Sequence, residues 1–149
     1  MLLPDGSRLG AVDAMTEGWT GKEPQNQCPR ILSLGLDQRG PLLPGQTVEA
    51  KLTAMDPEGD PLTIRWYLRA DSAVIGVGGD HQQEEASIPE AVSGSGLHAT
   101  ITLPREPGAY RLFAYVYDDH QGAAVTNLPL YIQKIGTAAP AEGSKVNQR

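Results

Sequence analysis

Asp56, Glu58 and Asp60 stand two residues apart in Asp56-Pro57-Glu58-Gly59-Asp60-Pro61, a segment that its prolines and its glycine drive into a tight turn. Carboxylates gathered in a flexible turn suit Ca²⁺, which takes about six to eight hard oxygen ligands. Asp118 and Asp119 end a later apolar run and reach the same pole if the two runs lie side by side, so Asp118 joins the candidate ligands. Asp and Glu are also ordinary turn formers whose side chains bond nearby backbone, and the sequence leaves both explanations open. Ca²⁺ is the one cofactor the residue types suit, and no motif requires any.

A second group is aromatic. In Ala109 to Asp118, Tyr110, Leu112, Ala114 and Val116 alternate with Arg111, Phe113, Tyr115 and Tyr117. Neighbouring side chains of a strand point to opposite faces, so if the first set is core the second faces outward. Arg65 and Tyr67 take the same outer face of a neighbouring run. Rings beside a guanidinium suit flat contact with pyranose rings, with Arg65, His81 and Gln83 among the groups able to bond hydroxyls. The same surface suits docking on an adjacent catalytic domain, or cover by the N-terminal segment with Trp19 as a plug. Aromatic residues also favour strands without binding anything.

Catalytic arrangements are lacking. His81, His98 and His120 lie far apart, the acids fall mainly in turns and polar loops, and there is no Gly-x-Ser-x-Gly, Walker or His-Glu-x-x-His pattern. Gly76-Val77-Gly78-Gly79-Asp80 lacks the Lys and the helix of a phosphate loop. The chain reads as a non-enzyme.

The elements that position these groups are short. Seventeen glycines and twelve prolines in 149 residues cut the apolar residues into strand-length runs. Val48, Ala50, Leu52 and Ala54 alternate with Thr47, Glu49, Lys51 and Thr53, and Leu62, Ile64, Trp66 and Leu68 form a second apolar face. Further runs cover 30–36, 97–103, 109–118 and 123–134, the last broken by Pro129, which belongs at an edge or a bulge. A short strand at 73–77 interrupts the Ala70 to Gly96 segment, which otherwise walls a ligand groove or wraps the sandwich edge. The pattern predicts an all-β, antiparallel immunoglobulin-like β-sandwich of about seven strands over residues 29–135. Tyr110 sits where such folds place a tyrosine corner, and Trp66 is the expected central core aromatic. Residues 1–28 form a leader or interdomain junction, and 136–149 a disordered tail.

Composition excludes several partners. A net charge of −6 and a pI near 4.9 have the wrong sign for a phosphate backbone, so no nucleic acid is expected. No apolar run approaches a membrane span. The single Cys28 forms no internal disulfide or thiolate zinc site. The N-terminus lacks the basic start and apolar stretch of a signal peptide.

Ala54-Met55-Asp56-Pro57-Glu58-Gly59-Asp60-Pro61-Leu62-Thr63-Ile64-Arg65-Trp66 and Pro107-Gly108-Ala109-Tyr110-Arg111-Leu112-Phe113-Ala114-Tyr115-Val116-Tyr117-Asp118-Asp119-His120-Gln121-Gly122 resemble the polycystic-kidney-disease-type and cadherin-like immunoglobulin modules of bacterial secreted proteins. The leader, through Trp19 and Asn26-Gln27-Cys28-Pro29-Arg30-Ile31, is similar to the junction joining such a module to a bacterial glycoside hydrolase barrel. The resemblance implies a C-terminal, non-catalytic accessory module, secreted or periplasmic as part of a larger protein. It further implies a carbohydrate-binding module, and the function expected of the exposed ring face is polysaccharide binding, with a structural domain that docks on and stabilises a catalytic domain as the alternative.

Overall fold

The computed structural model describes residues 1–71 and 86–136. The strand expected at 73–77, His81 and Gln83, and the tail beyond residue 136 lie outside the described residues. In chain order the elements are β1 (Arg8–Leu9), α1 (Gly10–Thr20), β2 (Arg30–Leu36), β3 (Thr47–Met55), β4 (Thr63–Ala70), β5 (Val92–Ser93), β6 (His98–Thr102), β7 (Gly108–Tyr117) and β8 (Gly122–Ile132).

They form two four-stranded sheets, ordered β2-β3-β6-β5 and β1-β8-β7-β4. Without β1 this is the strand pairing of a constant-type immunoglobulin-like sandwich. Alternation decides which side chains meet between the sheets. In β3, Val48, Ala50 and Leu52 are buried while Thr47, Glu49, Lys51 and Thr53 face solvent. In β7, Tyr110, Leu112, Ala114 and Val116 are buried. Trp66 lies in this core, its indole N–H donating to the Gly96 carbonyl at 2.9 Å. The Tyr110 hydroxyl donates to the Glu106 carbonyl at 2.9 Å, closing the tyrosine corner. Pro129 pairs in register with Arg111 of β7. On its other side β8 is joined by β1 only at Gly122 and Ala123, so the missing N–H falls at an edge.

The leader adds two elements that the strand pattern does not announce. β1 pairs in parallel with the start of β8, Arg8 opposite Gly122 and Leu9 opposite Ala123. Helix α1 follows at once and ends at Gly21, whose φ of 69° closes it with an N–H bond to the Glu17 carbonyl. Asp13 in its first turn is buried. Its Oδ1 accepts from the Arg8 guanidinium at 2.9 Å and its Oδ2 from the Cys28 backbone N–H at 2.6 Å. The Cys28 thiol donates to the Arg8 carbonyl at 3.3 Å. Residues on both sides of the helix are thus tied to one carboxylate, which fixes where the leader enters the sandwich.

That enclosure has a chemical consequence. Burial, with Asp13 beside it, pushes the Cys28 thiol up from 9.0 to about 11. An unfolded chain loses this proton near its ordinary value and the folded chain keeps it. The contribution to stability is therefore complete below pH 9, and is lost as pH rises toward 11. At pH 8 a disulfide reagent should label Cys28 about 100-fold more slowly in the native protein than in urea, from the thiolate fraction alone. Equal rates would mean that the thiol is neither raised nor enclosed.

Candidate functional site

Two surfaces carry the residues with chemical promise. The first is the pole where the β3–β4 turn, the β7–β8 turn and the end of the leader meet. In the β3–β4 turn Asp56 folds back on its own backbone, Oδ1 accepting N–H bonds from Glu58 at 2.9 Å and Asp60 at 3.0 Å. Gly59 takes a φ of 86°, the left-handed conformation expected of it. One oxygen or nitrogen atom from each of Asp56, Glu58 and Asp60 lies within 4.8 Å of the others, and the same holds for Asp60, Asp119 and His120.

Asp118 falls in neither group. Its Oδ1 instead accepts from the N–H groups of His120 at 2.7 Å and Gly122 at 2.6 Å, shaping the β7–β8 turn. A Cβ at position 122 would collide with this carboxylate and come within 3.1 Å of the Cys28 Cα, so only glycine lets the turn close there. His120 Nδ1 lies 2.7 Å from Asp119 Oδ1 and 3.1 Å from Asp60 Oδ2, and the Asp119 charge foremost holds this imidazole above its ordinary value.

The leader contributes what the turn pattern does not show. The Asn26 amide donates to Asp60 Oδ2 at 2.7 Å, and the Gln27 N–H donates to Glu58 Oε2 at 3.1 Å. Asn26 is separated from Asp60 by 34 positions, so no spacing rule would have paired them. Three oxygens at this pole, Asn26 Oδ1, Asp56 Oδ2 and Asp118 Oδ2, are buried with no hydrogen-bond partner among the described residues.

The second surface is the outer face of β4 and β7. Arg65 pairs with Tyr115 and Tyr67 with Phe113, which places the rings of the two strands side by side. Phe113, Tyr115, Tyr117 and Tyr67 are each half-buried. Tyr115 and Tyr117 lie nearly parallel, at 13° with centroids 6.5 Å apart. Phe113 is tilted 34° from Tyr115, and Tyr67 meets Tyr115 edge-on at 86°, so the four rings share no common plane. The Arg65 guanidinium lies over Tyr117 at 5.2 Å, and that of Arg69 over Phe113 at 5.2 Å and over Tyr67 at 5.8 Å. Burial foremost, with the Asp5 charge next, raises the Tyr117 hydroxyl above its ordinary value. On β8, Val125 and Tyr131 are exposed, Tyr131 at 65%. Trp19 is 80% exposed and does not plug the ring face, because α1 presents Asp13 and not its indole to the sandwich.

Away from these surfaces, a broad depression of about 700 Å³ along β2 and β3 is lined by Asp37, Glu49, Lys51 and His98 among others. Glu49 there accepts a hydrogen bond from Thr100.

No protein-family model matches the chain, and no curated protein does at a significant level. Among solved structures, the chain is similar to the PKD domain of an M14-like peptidase from Thermoplasmatales archaeon SCGC AB-540-F20, with 21% identity, 73% of this chain and 99% of that one covered, and a TM-score of 0.45. A structure from work on Dscam isoform specificity matches with 14% identity over 72% of this chain and 25% of that one, TM-score 0.41. A conjugative transposon lipoprotein from Bacteroides eggerthii DSM 20697 matches with 16% identity over 68% and 93% of the two chains, TM-score 0.34. None of the three is described as part of a glycoside hydrolase.

Proposed function

We propose that this chain is a non-catalytic interaction module of a larger secreted or periplasmic protein, whose ring-bearing face docks on an adjoining catalytic domain. One observation carries the reading. Guanidinium groups lie over Tyr117, Phe113 and Tyr67, and the rings stand at angles to one another, which supports an irregular protein contact better than a flat sugar platform. Tyrosine and arginine are the side chains that most often dominate protein interfaces. The motifs shared with secreted immunoglobulin-like modules support the setting, and the leader motif makes a glycoside hydrolase barrel the first partner to try.

A polysaccharide ligand is the second reading, favoured by the near-parallel pair Tyr115 and Tyr117, which offers two similarly oriented rings to successive sugar units. In this reading Arg65 and Tyr67 flank the chain of sugars as hydrogen-bonding partners. One pair of measurements separates the two. In native gels containing soluble glucan, xylan or mannan, and in sedimentation with chitin, a docking module migrates and partitions like an inert control. In calorimetry a separately produced adjoining catalytic domain should bind saturably, and the Tyr115→Ala/Tyr117→Ala pair should weaken that binding by at least about tenfold. Retardation by a polysaccharide that the same substitutions abolish would replace docking with sugar binding.

A further inference from the structure

The outer face of β4, β7 and β8 is sorted by charge. Among the described residues, the side chains pointing outward from these strands include Arg65, Arg69 and Arg111 but no Asp or Glu, in a chain whose eighteen acids outnumber its twelve lysines and arginines. Arg69 and Arg111 are directly opposite in register, a placement that like charges disfavour and that concentrates positive potential at one end of the rings. Two acids border the face. Asp71 bridges Arg111 at 2.9 Å, whereas Asp5 lies within electrostatic range of Arg65 without coming to ion-pair distance. Hydrogen bonding on this face is as one-sided as its charge. Arg65 is exposed and its guanidinium lies over Tyr117 at 5.2 Å, yet it makes no hydrogen bond or ion pair with another described residue. Stacking on a ring fixes the plane of a guanidinium and leaves its N–H donors at the edges, the geometry that a carboxylate meets with two parallel bonds. The hydroxyls of Tyr67 and Tyr115 likewise have no hydrogen-bond partner among the described residues. Donors and positive charge set around apolar rings are complementary to a surface that sets carboxylates around apolar side chains.

We infer that the partner of this face is a protein surface bearing a patch of Asp and Glu side chains, with Arg65, held in place by the Tyr117 ring, as the anchor that takes one of those carboxylates. The inference rests on the docking reading above and names the chemistry of its partner. Phe113 and Tyr67 stand at 34° and 86° to Tyr115, which favours the scattered carboxylates of a protein over the regularly repeated ones of an acidic polysaccharide. Long-range attraction between the two faces speeds encounter and is screened by salt, whereas the stacked, bidentate contact at Arg65 sets how long the complex lasts.

The test uses the full chain on two probes: poly-L-glutamate coupled to a resin, and the separately produced adjoining catalytic domain in calorimetry. A chain of net charge −6 is repelled by the resin as a whole, so retention reports a local basic face. The chain should be retained at about 50 mM NaCl and released by about 500 mM, and its affinity for the catalytic domain should fall at least about tenfold over the same range. Arg65→Gln, at an exposed position, should abolish retention and weaken the domain's binding at least about tenfold. Tyr117→Ala leaves every charge in place but should weaken both at least about threefold, while Tyr117→Phe keeps the ring and restores them, a pattern that charge alone would not give. Flow-through on poly-L-glutamate at low salt would overturn the inference. Binding of the catalytic domain that ignores both salt and Arg65→Gln would overturn it as well, with docking left intact. Arg65-dependent retention without any binding of the catalytic domain would do the reverse, upholding the carboxylate chemistry and removing the adjoining domain as partner. Stronger retention on polygalacturonate than on poly-L-glutamate would replace the protein partner with an acidic polysaccharide.

Discussion

Replacing Leu112 by Ala should destabilise the protein by about 3–4 kcal/mol, the range for truncating a fully buried leucine whose cavity cannot collapse. Leu112 is 0% exposed and sits in the middle of the central strand of its sheet, paired across to Leu68 on β4 and Leu128 on β8. Both neighbours are held by their own ladders, so neither can move far into the space left. A domain of this size has a total stability of about 5–15 kcal/mol, so the loss is a large fraction of it. Urea unfolding is the measurement: the midpoint should fall with the slope unchanged. A position three residues further along is the internal control. Tyr115→Ala, on the opposite face of the same strand, removes a half-buried ring and its contacts with Tyr67 and Phe113, and should cost less than half as much. Similar losses at both positions would show that the outer face is as enclosed as the core, and would remove the basis for a docking surface.

The second large effect belongs to the leader. Asp13→Ala should cost about 2–3 kcal/mol, below the 3–5 kcal/mol typical of fully buried pairs because the Arg8 side chain is 28% exposed. The loss arises from what remains: a guanidinium without its carboxylate and a Cys28 N–H without an acceptor. Asp13→Asn should fail in a related way, since an amide has one oxygen to offer and one of the two donors would face its NH2 group. The readout is local. Because β1 pairs with β8 over only two residues, losing the Asp13 contacts should release the leader before the sandwich unfolds. Native-state labelling of Cys28 should then accelerate by roughly 30- to 150-fold, the equivalent of 2–3 kcal/mol, while the core unfolding midpoint moves less. Unchanged labelling would show that Asp13 does not hold the leader in place.

Alternation makes the sandwich legible in the sequence itself. The two-residue period of Val48 to Ala54 and of Tyr110 to Val116 is set by the backbone geometry of a single strand, so it can be read locally. The turn around Gly59, the tyrosine corner and the core placement of Trp66 follow from equally short stretches of chain. Helix α1 was not legible for the complementary reason. It spans 11 residues, includes Gly10 and Gly18, and buries only Asp13, so it shows no apolar stripe, and its place depends on a remote partner, Cys28.

The sequence alone settled which side of each core strand is wet, where the six longer strands run, and that Asp56, Glu58 and Asp60 share a turn, but it announced neither β1 nor β5. Tertiary structure decided the rest. It showed that Asn26 faces Asp60, that Asp118 shapes its own turn instead of joining the carboxylate group, and that arginines cover the faces of the rings. The division has one physical cause: strand periodicity and turn geometry are properties of consecutive residues, whereas the pairing of polar atoms and the exposure of a ring face depend on segments that only the packed fold brings together.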